Sequence, residues 1–142
     1  MKIAIGGDHA GFEYKGRLIE YLESEGHVVQ DFGPNSDDSV DYPDHVHPLT
    51  ESVLDGSNEY GILICGSGNG VAITANKRSG IRAGLCWNTE VAELIRLHND
   101  ANVLCLPARF VSFDEALEMV KTFFSTNFEG GRHQRRVDKI PC

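Results

Sequence analysis

Ile62-Leu63-Ile64-Cys65-Gly66-Ser67-Gly68-Asn69-Gly70-Val71 carries a buried strand into a thiol, then into a glycine-rich turn that opens a helix expected over residues 71–77. Glycines at alternate positions leave successive backbone N–H groups uncovered, so an anion can approach the main chain closely. The helix that follows points its positive dipole end at the same place. Helix N-termini favour thiolate over thiol. One short segment therefore offers a candidate base or nucleophile in Cys65 beside a hole for negative charge.

Outward from this segment, short apolar runs alternate with helical patterns in both directions. Strands are expected at residues 2–5, 27–32, 60–65, 82–85 and 102–106, and helices at 12–24, 43–54, 71–77, 89–97 and about 113–124. Ser112-Phe113-Asp114-Glu115 is a capping box for the last helix, whose apolar face is Phe113, Ala116, Leu117, Val120 and Phe124. Such alternation predicts an α/β fold: a three-layer, Rossmann-like sandwich with a five-stranded parallel sheet between helices. No linker divides the chain, so residues 1–142 are expected to form one domain. Ligands of such sheets bind outside the carboxyl ends of the strands. Three exits are chemically loaded and could meet in one crevice: Gly6-Gly7-Asp8-His9, Cys65 with its glycines, and Pro107-Ala108-Arg109.

A hydrophobic share of 41% and a charged share of 24% suit a soluble globule with a real core. No apolar run approaches the roughly 20 residues of a membrane span. The apolar part of Met1-Lys2-Ile3-Ala4-Ile5-Gly6 is too short for a signal peptide and reads as a first strand. A net charge of −8 argues against a general nucleic-acid or membrane binder. Within that acidity, Arg132, Arg135, Arg136 and Lys139 form a basic cluster that fits a solvated tail or a small anionic ligand. Cys65, Cys86, Cys105 and Cys142 show no C-x-x-C pair and no zinc spacing; no metal is expected, and the pattern fits a reducing cytoplasm. Cys86 and Cys105 lie in apolar runs and read as inert core.

Competing motifs fail at single positions. A dinucleotide fingerprint would need glycine at position 71 and a P-loop would need lysine there; Val71 satisfies neither. A cysteine-dependent phosphatase loop would place an arginine there. Asp8 could cap the first helix, and Tyr42, in Val40-Asp41-Tyr42-Pro43, could staple the next one. His98 ends the helix expected at 89–97, where the dipole favours a cation; it also continues the Val91, Leu94 and Ile95 face, which implies partial burial. Asn99 could be only a helix stop. His45 and His47, two apart, point to different sides and do not make a metal pair. His27 and His133 carry no distinct signal.

Together these residues resemble the ribose-5-phosphate isomerase B family, which includes galactose-6-phosphate isomerase subunits and allose-6-phosphate-active members. The resemblance runs through Gly7-Asp8-His9-Ala10-Gly11, Asp41-Tyr42-Pro43, Cys65-Gly66-Ser67-Gly68-Asn69-Gly70, Ala75-Asn76-Lys77, Gly80-Ile81-Arg82-Ala83, His98-Asn99-Asp100-Ala101-Asn102-Val103 and Glu129-Gly130-Gly131-Arg132-His133-Gln134-Arg135-Arg136-Val137. It implies interconversion of ribose 5-phosphate and ribulose 5-phosphate without metal or organic cofactor; a six-carbon sugar phosphate is the alternative substrate. Cys65 would move the proton between C2 and C1, and the N–H groups of Gly66, Ser67, Gly68, Asn69 and Gly70 would hold the enediolate. His98 with Ser67 would open the sugar ring. Asp8, Tyr42 and Asn99 would bind sugar hydroxyls, and His9, Arg109, Arg132 and Arg136 the phosphate region.

Two departures are visible. Ser67 stands where many members have threonine. A branch without the cysteine uses a glutamate just after the glycine segment, and Val71 occupies that place here, leaving Cys65 as the base. The galactose-6-phosphate subunits differ around His98-Asn99 and residues 130–136. The C-terminal segment, residues 126–142, would contribute to the site or to a dimer interface.

In a parallel sheet the connecting helices run antiparallel to the strands, so His98 belongs at the opposite sheet edge from Cys65. A five-residue strand is about 16 Å long. If both residues act on one sugar, a partner across a two-fold axis supplies His98 and Asn99, giving a homodimer with a shared site. Pairing of dimers into a tetramer stays open.

Overall fold

The computed structural model describes residues 1–142. Five strands, β1 (Lys2–Gly7), β2 (Val28–Asp31), β3 (Tyr60–Cys65), β4 (Ala83–Leu85) and β5 (Val103–Pro107), pair in parallel throughout, in the order β2-β1-β3-β5-β4. Alternate side chains of the central strands feed two separate cores. Ile3, Ile5, Ile62, Ile64, Leu104 and Leu106 point to one face, where Leu18, Leu22, Met119, Val120 and Phe123 cover them. Ala4, Leu63, Cys65, Val103 and Cys105 point to the other, against Val46, Leu49, Val71 and Ala75. Each fully buried Leu or Ile contributes about 1.5–3 kcal/mol through removal from water. The covering helices are α1 (Phe12–Ser24), α4 (Thr89–Leu97) and α5 (Phe113–Ser125) on the first face, α2 (Tyr42–Leu54) and α3 (Asn69–Ala75) on the second. No helix is long and apolar enough to cross a membrane.

Local chemistry sets the ends of these elements. Ser112 Oγ accepts from the Glu115 N–H at 3.1 Å and Glu115 Oε2 accepts from the Ser112 N–H at 2.8 Å, so the expected capping box starts α5. Asn88 caps α4 through Val91. Strand ends differ from expectation by one or two residues, and three helical differences bear on the site. Helix α3 starts at Asn69 and stops at Ala75, because Gly68 turns the chain in the left-handed region at φ 75° and lets the helix begin sooner. Tyr42 lies inside α2 rather than before it. A sixth helix, α6 (Arg132–Val137), follows a pair of positive-φ glycines, Gly130 and Gly131.

The strand order reverses direction between β1 and β3, and their carboxyl ends lie side by side: the Asp8 N–H donates to the Ile64 carbonyl at 3.1 Å. Crevices at such reversal points are the ligand sites of open α/β sheets. Strand β5 lies on the other side of β3, so all three loaded exits leave neighbouring strands at one edge.

Candidate active site

Cys65 ends β3 with 5% of its surface exposed, and its Sγ accepts the Gly68 N–H at 3.1 Å. Cys105 and Cys86 are fully buried, and burial pushes the Cys86 thiol up to about 12 and that of Cys105 well above its ordinary value, so neither competes as a base. Cys142 is exposed.

Of the five N–H groups expected to hold an enediolate, two are engaged within the loop. Gly68 donates to Cys65, and Asn69 donates to Ser67 Oγ at 3.3 Å. Ser67 and Gly70 donate to no other group of the chain. Gly70 is glycine because the Tyr42 ring lies on it: a Cβ there would meet Tyr42 Cζ at 2.5 Å. The phenol of Tyr42 is thereby delivered beside the Cys65 loop, more than a staple would require.

Asp8 does cap the turn that follows, its Oδ1 accepting from the Ala10 N–H at 2.9 Å. His9 Nδ1 accepts the Val40 N–H at 3.2 Å, which places the ring proton on Nε2, where it can be donated. Both residues line an open cavity of about 520 Å³ with Tyr42. Arg109 is exposed, and its own N–H donates to the Gly66 carbonyl at 3.0 Å, fixing it to the Cys65 loop.

The remaining candidates stand elsewhere. His98 caps the end of α4, its N–H donating to the Leu94 carbonyl at 2.9 Å, and it is half-buried as expected. Asn99 follows it, exposed. Residues 126–131 are pinned to the end of α4 by Arg96 Nε on the Thr126 carbonyl (3.3 Å) and by the Glu129 N–H on the Leu97 carbonyl (3.1 Å). This brings α6 against His98. Arg132 and Arg136, one turn apart, line a cavity of about 530 Å³ together with His98, Asn99 and His133, while Arg135 lies outside that lining.

Sequence reasoning missed His133 and Glu129. The His133 ring stacks on His98 with centroids 4.1 Å apart and planes 13° apart, and both Nε2 atoms lie 3.8 Å from Glu129 Oε2. Burial holds the His133 imidazole below its ordinary 6.5; charge on His98, Arg132 and Arg136 acts the same way and Glu129 opposes. The available signal was helical spacing, since His133 precedes Arg136 by three. Ligand atoms of this trio lie within 4.8 Å of one another. A zinc ion about 2.0–2.1 Å from each nitrogen would have to lie in both ring planes, and near-parallel stacked planes do not meet there. His45 donates Nδ1–H to the Phe32 carbonyl at 2.8 Å, and His47 is exposed beyond it, so these two form no pair.

One chain thus brings Cys65, Ser67, Asp8, His9, Tyr42 and Arg109 to the carboxyl edge and leaves His98, Asn99, Arg132 and Arg136 in a second group. In register Cys65 faces Pro107, while Gly61 faces Val103 at the start of β5, with His98 five residues further back along the chain. Four strand residues alone separate these levels by about 13 Å. The expected phosphate-binding quartet is accordingly divided two and two within a subunit.

A family model described as Ribose/Galactose Isomerase matches residues 3–140. Ribose-5-phosphate isomerase B of Escherichia coli (strain K12) is 42% identical over 139 residues, covering 98% of this chain and 93% of that protein. The solved ribose-5-phosphate isomerase B of Clostridium thermocellum superposes with a TM-score of 0.97 at 47% identity, over 99% of this chain and 95% of that one. That of Mycoplasma genitalium with bound ribulose-5-phosphate gives 0.94 at 45% identity, over 98% and 93%.

Proposed function

The chain belongs to the ribose/galactose isomerase family, as a sugar-phosphate isomerase, and from that footing we propose that it interconverts D-ribose 5-phosphate and D-ribulose 5-phosphate. The observation that carries this reading is Cys65 Sγ at the end of β3, accepting the Gly68 N–H, at the sheet edge where the Asp8 N–H bonds the adjoining Ile64 carbonyl and the Tyr42 ring packs on Gly70 of the same loop. In the open-chain aldose, Cys65 thiolate takes the C2 proton. The C–H electron pair forms the C1–C2 double bond, and the carbonyl pair moves onto O1, where the N–H groups of Ser67 and Gly70 can donate. Fixed donors aimed at developing charge are worth more than donors that must reorganise. The proton on sulfur is then delivered to C1, O1 becomes a hydroxyl and the O2 proton is released, leaving the C2 ketone.

His98 with Ser67 opens the furanose, Asp8, Tyr42 and Asn99 hold hydroxyls, and His9, Arg109, Arg132 and Arg136 hold the phosphate. Because a subunit keeps His98 and Asn99 away from Cys65, the working site combines two subunits of a homodimer. The test is turnover of ribose 5-phosphate against allose 6-phosphate and galactose 6-phosphate by the purified protein. The highest kcat/KM is expected on ribose 5-phosphate; a six-carbon substrate in that place, or binding without turnover, would refute the assignment.

A further inference from the structure

His98 and Asn99 stand where α4 must stop and the chain must turn into β5. The next residue, Asp100, has φ 48° and is the only non-glycine residue in the left-handed region. Glycine holds that conformation without penalty and would suffice if only the turn mattered. Instead, all three oxygens of Asp100 are gripped. Arg96 Nη1 donates to Oδ1 at 2.9 Å, Arg82 Nη2 to Oδ2 at 3.2 Å, and Arg82 Nε to the main-chain carbonyl at 2.9 Å. The Asp100 N–H donates back to the Arg96 carbonyl at 3.3 Å.

Arg96 is itself 6% exposed, and its guanidinium also donates to the Ala101 carbonyl at 2.7 Å and the Thr126 carbonyl at 3.3 Å. The clamp therefore joins the last turn of α4, the lead into β4 and the segment that carries Glu129 and α6. Asp100, Arg82 and Arg96 line neither of the two cavities that hold the candidate site residues. The effect of Asp100 on chemistry passes most directly through the two residues just before it, His98 and Asn99.

We propose that Asp100 is a positioning residue: held between Arg82 and Arg96, it locks the turn that presents His98 and Asn99 to the sugar. This rests on the reading of His98 as the ring-opening group. Charge-assisted hydrogen bonds from two planar guanidinium groups fix a carboxylate in direction as well as place. A left-handed residue so fixed leaves the preceding two with one orientation, and misplacement of a reacting group by about an ångström can cost a hundredfold in rate.

The test uses Asp100→Gly, which keeps the turn and removes the clamp, Asp100→Asn, which keeps shape and removes charge, and Arg82→Gln. Two rates are compared at saturating substrate: turnover of ribose 5-phosphate, and incorporation of solvent deuterium at C1 of ribulose 5-phosphate. With O5 phosphorylated, the ketose has no furanose form, so its exchange needs Cys65 but no ring opening. Asp100→Gly should lower aldose turnover roughly tenfold or more relative to C1 exchange, with smaller falls in Asp100→Asn and Arg82→Gln. A ratio of the two rates that stays at the wild-type value in all three variants would overturn the proposal, whether or not melting temperature falls, because a structural role reduces both rates together. If Asp100→Gly does not fold, the other two variants carry the comparison. A wild-type protein that exchanges C1 deuterium but does not turn over ribose 5-phosphate would instead sink the functional reading, and the clamp with it.

Discussion

Cys65 Sγ has one hydrogen bond, from Gly68, and the only other thiols on its sheet neighbourhood are held protonated by burial. Cys65→Ala should therefore abolish isomerisation and solvent exchange at C2 while phosphosugar affinity stays within several-fold. Exchange at near wild-type rate in that variant would mean another residue is the base. His133 makes a different kind of prediction. Its folded pKa is depressed below 6.5, chiefly by burial and then by His98. A depressed histidine contributes stability that is whole above 6.5 and drains away as pH falls through the folded value, because the unfolded chain takes up the proton first. As pH falls below 6.5, wild type should lose more melting temperature than His133→Asn. Parallel curves would show that the stack has no electrostatic consequence.

Helix α6 presents Arg132 and Arg136 to one cavity and turns Arg135 away from it. Arg132→Ala and Arg136→Ala should each raise KM roughly ten- to a hundredfold, the loss of a charge-assisted contact, with Arg135→Ala mild by comparison. Equal losses at all three positions would mean a diffuse field, which added salt would screen. This helix shows why part of the fold is hard to read. Strands β1, β3 and β5 announce themselves through apolar runs, and α5 through its capping box and apolar face. Helix α6 buries only His133 and Val137 among its six residues, so it has no apolar period to detect. Its position depends on the turn at Gly130 and Gly131 and on the Glu129 N–H bond to the Leu97 carbonyl of α4, the second a long-range fact. The order β2-β1-β3-β5-β4 was equally hidden, because a strand buried on both faces carries no label for its neighbours. Cys65, His98 and the arginines could be named from local chemistry and resemblance. The placing of His133 and Glu129 beside His98, and of Asp100 beside Arg82, joins residues far apart in sequence and was not legible there.

At the scale of the molecule, the two groups of candidate residues sit at different edges of one sheet, and the proposed dimer unites them. Mixing Cys65→Ala subunits with His98→Ala subunits should restore activity, since each heterodimer has one site with both residues intact. No recovery after verified subunit exchange, or an active monomer, would rule out sharing. The separation of Cys65 from His98 also has a consequence for gene dosage. A subunit carrying both lesions would spoil each of the two sites in any dimer it enters, although its wild-type partner is sound. With equal amounts of the two chains, activity should fall to about a quarter rather than a half. A cell with two alleles would register such a loss as dominant, where the same lesions in a self-contained site would pass as recessive.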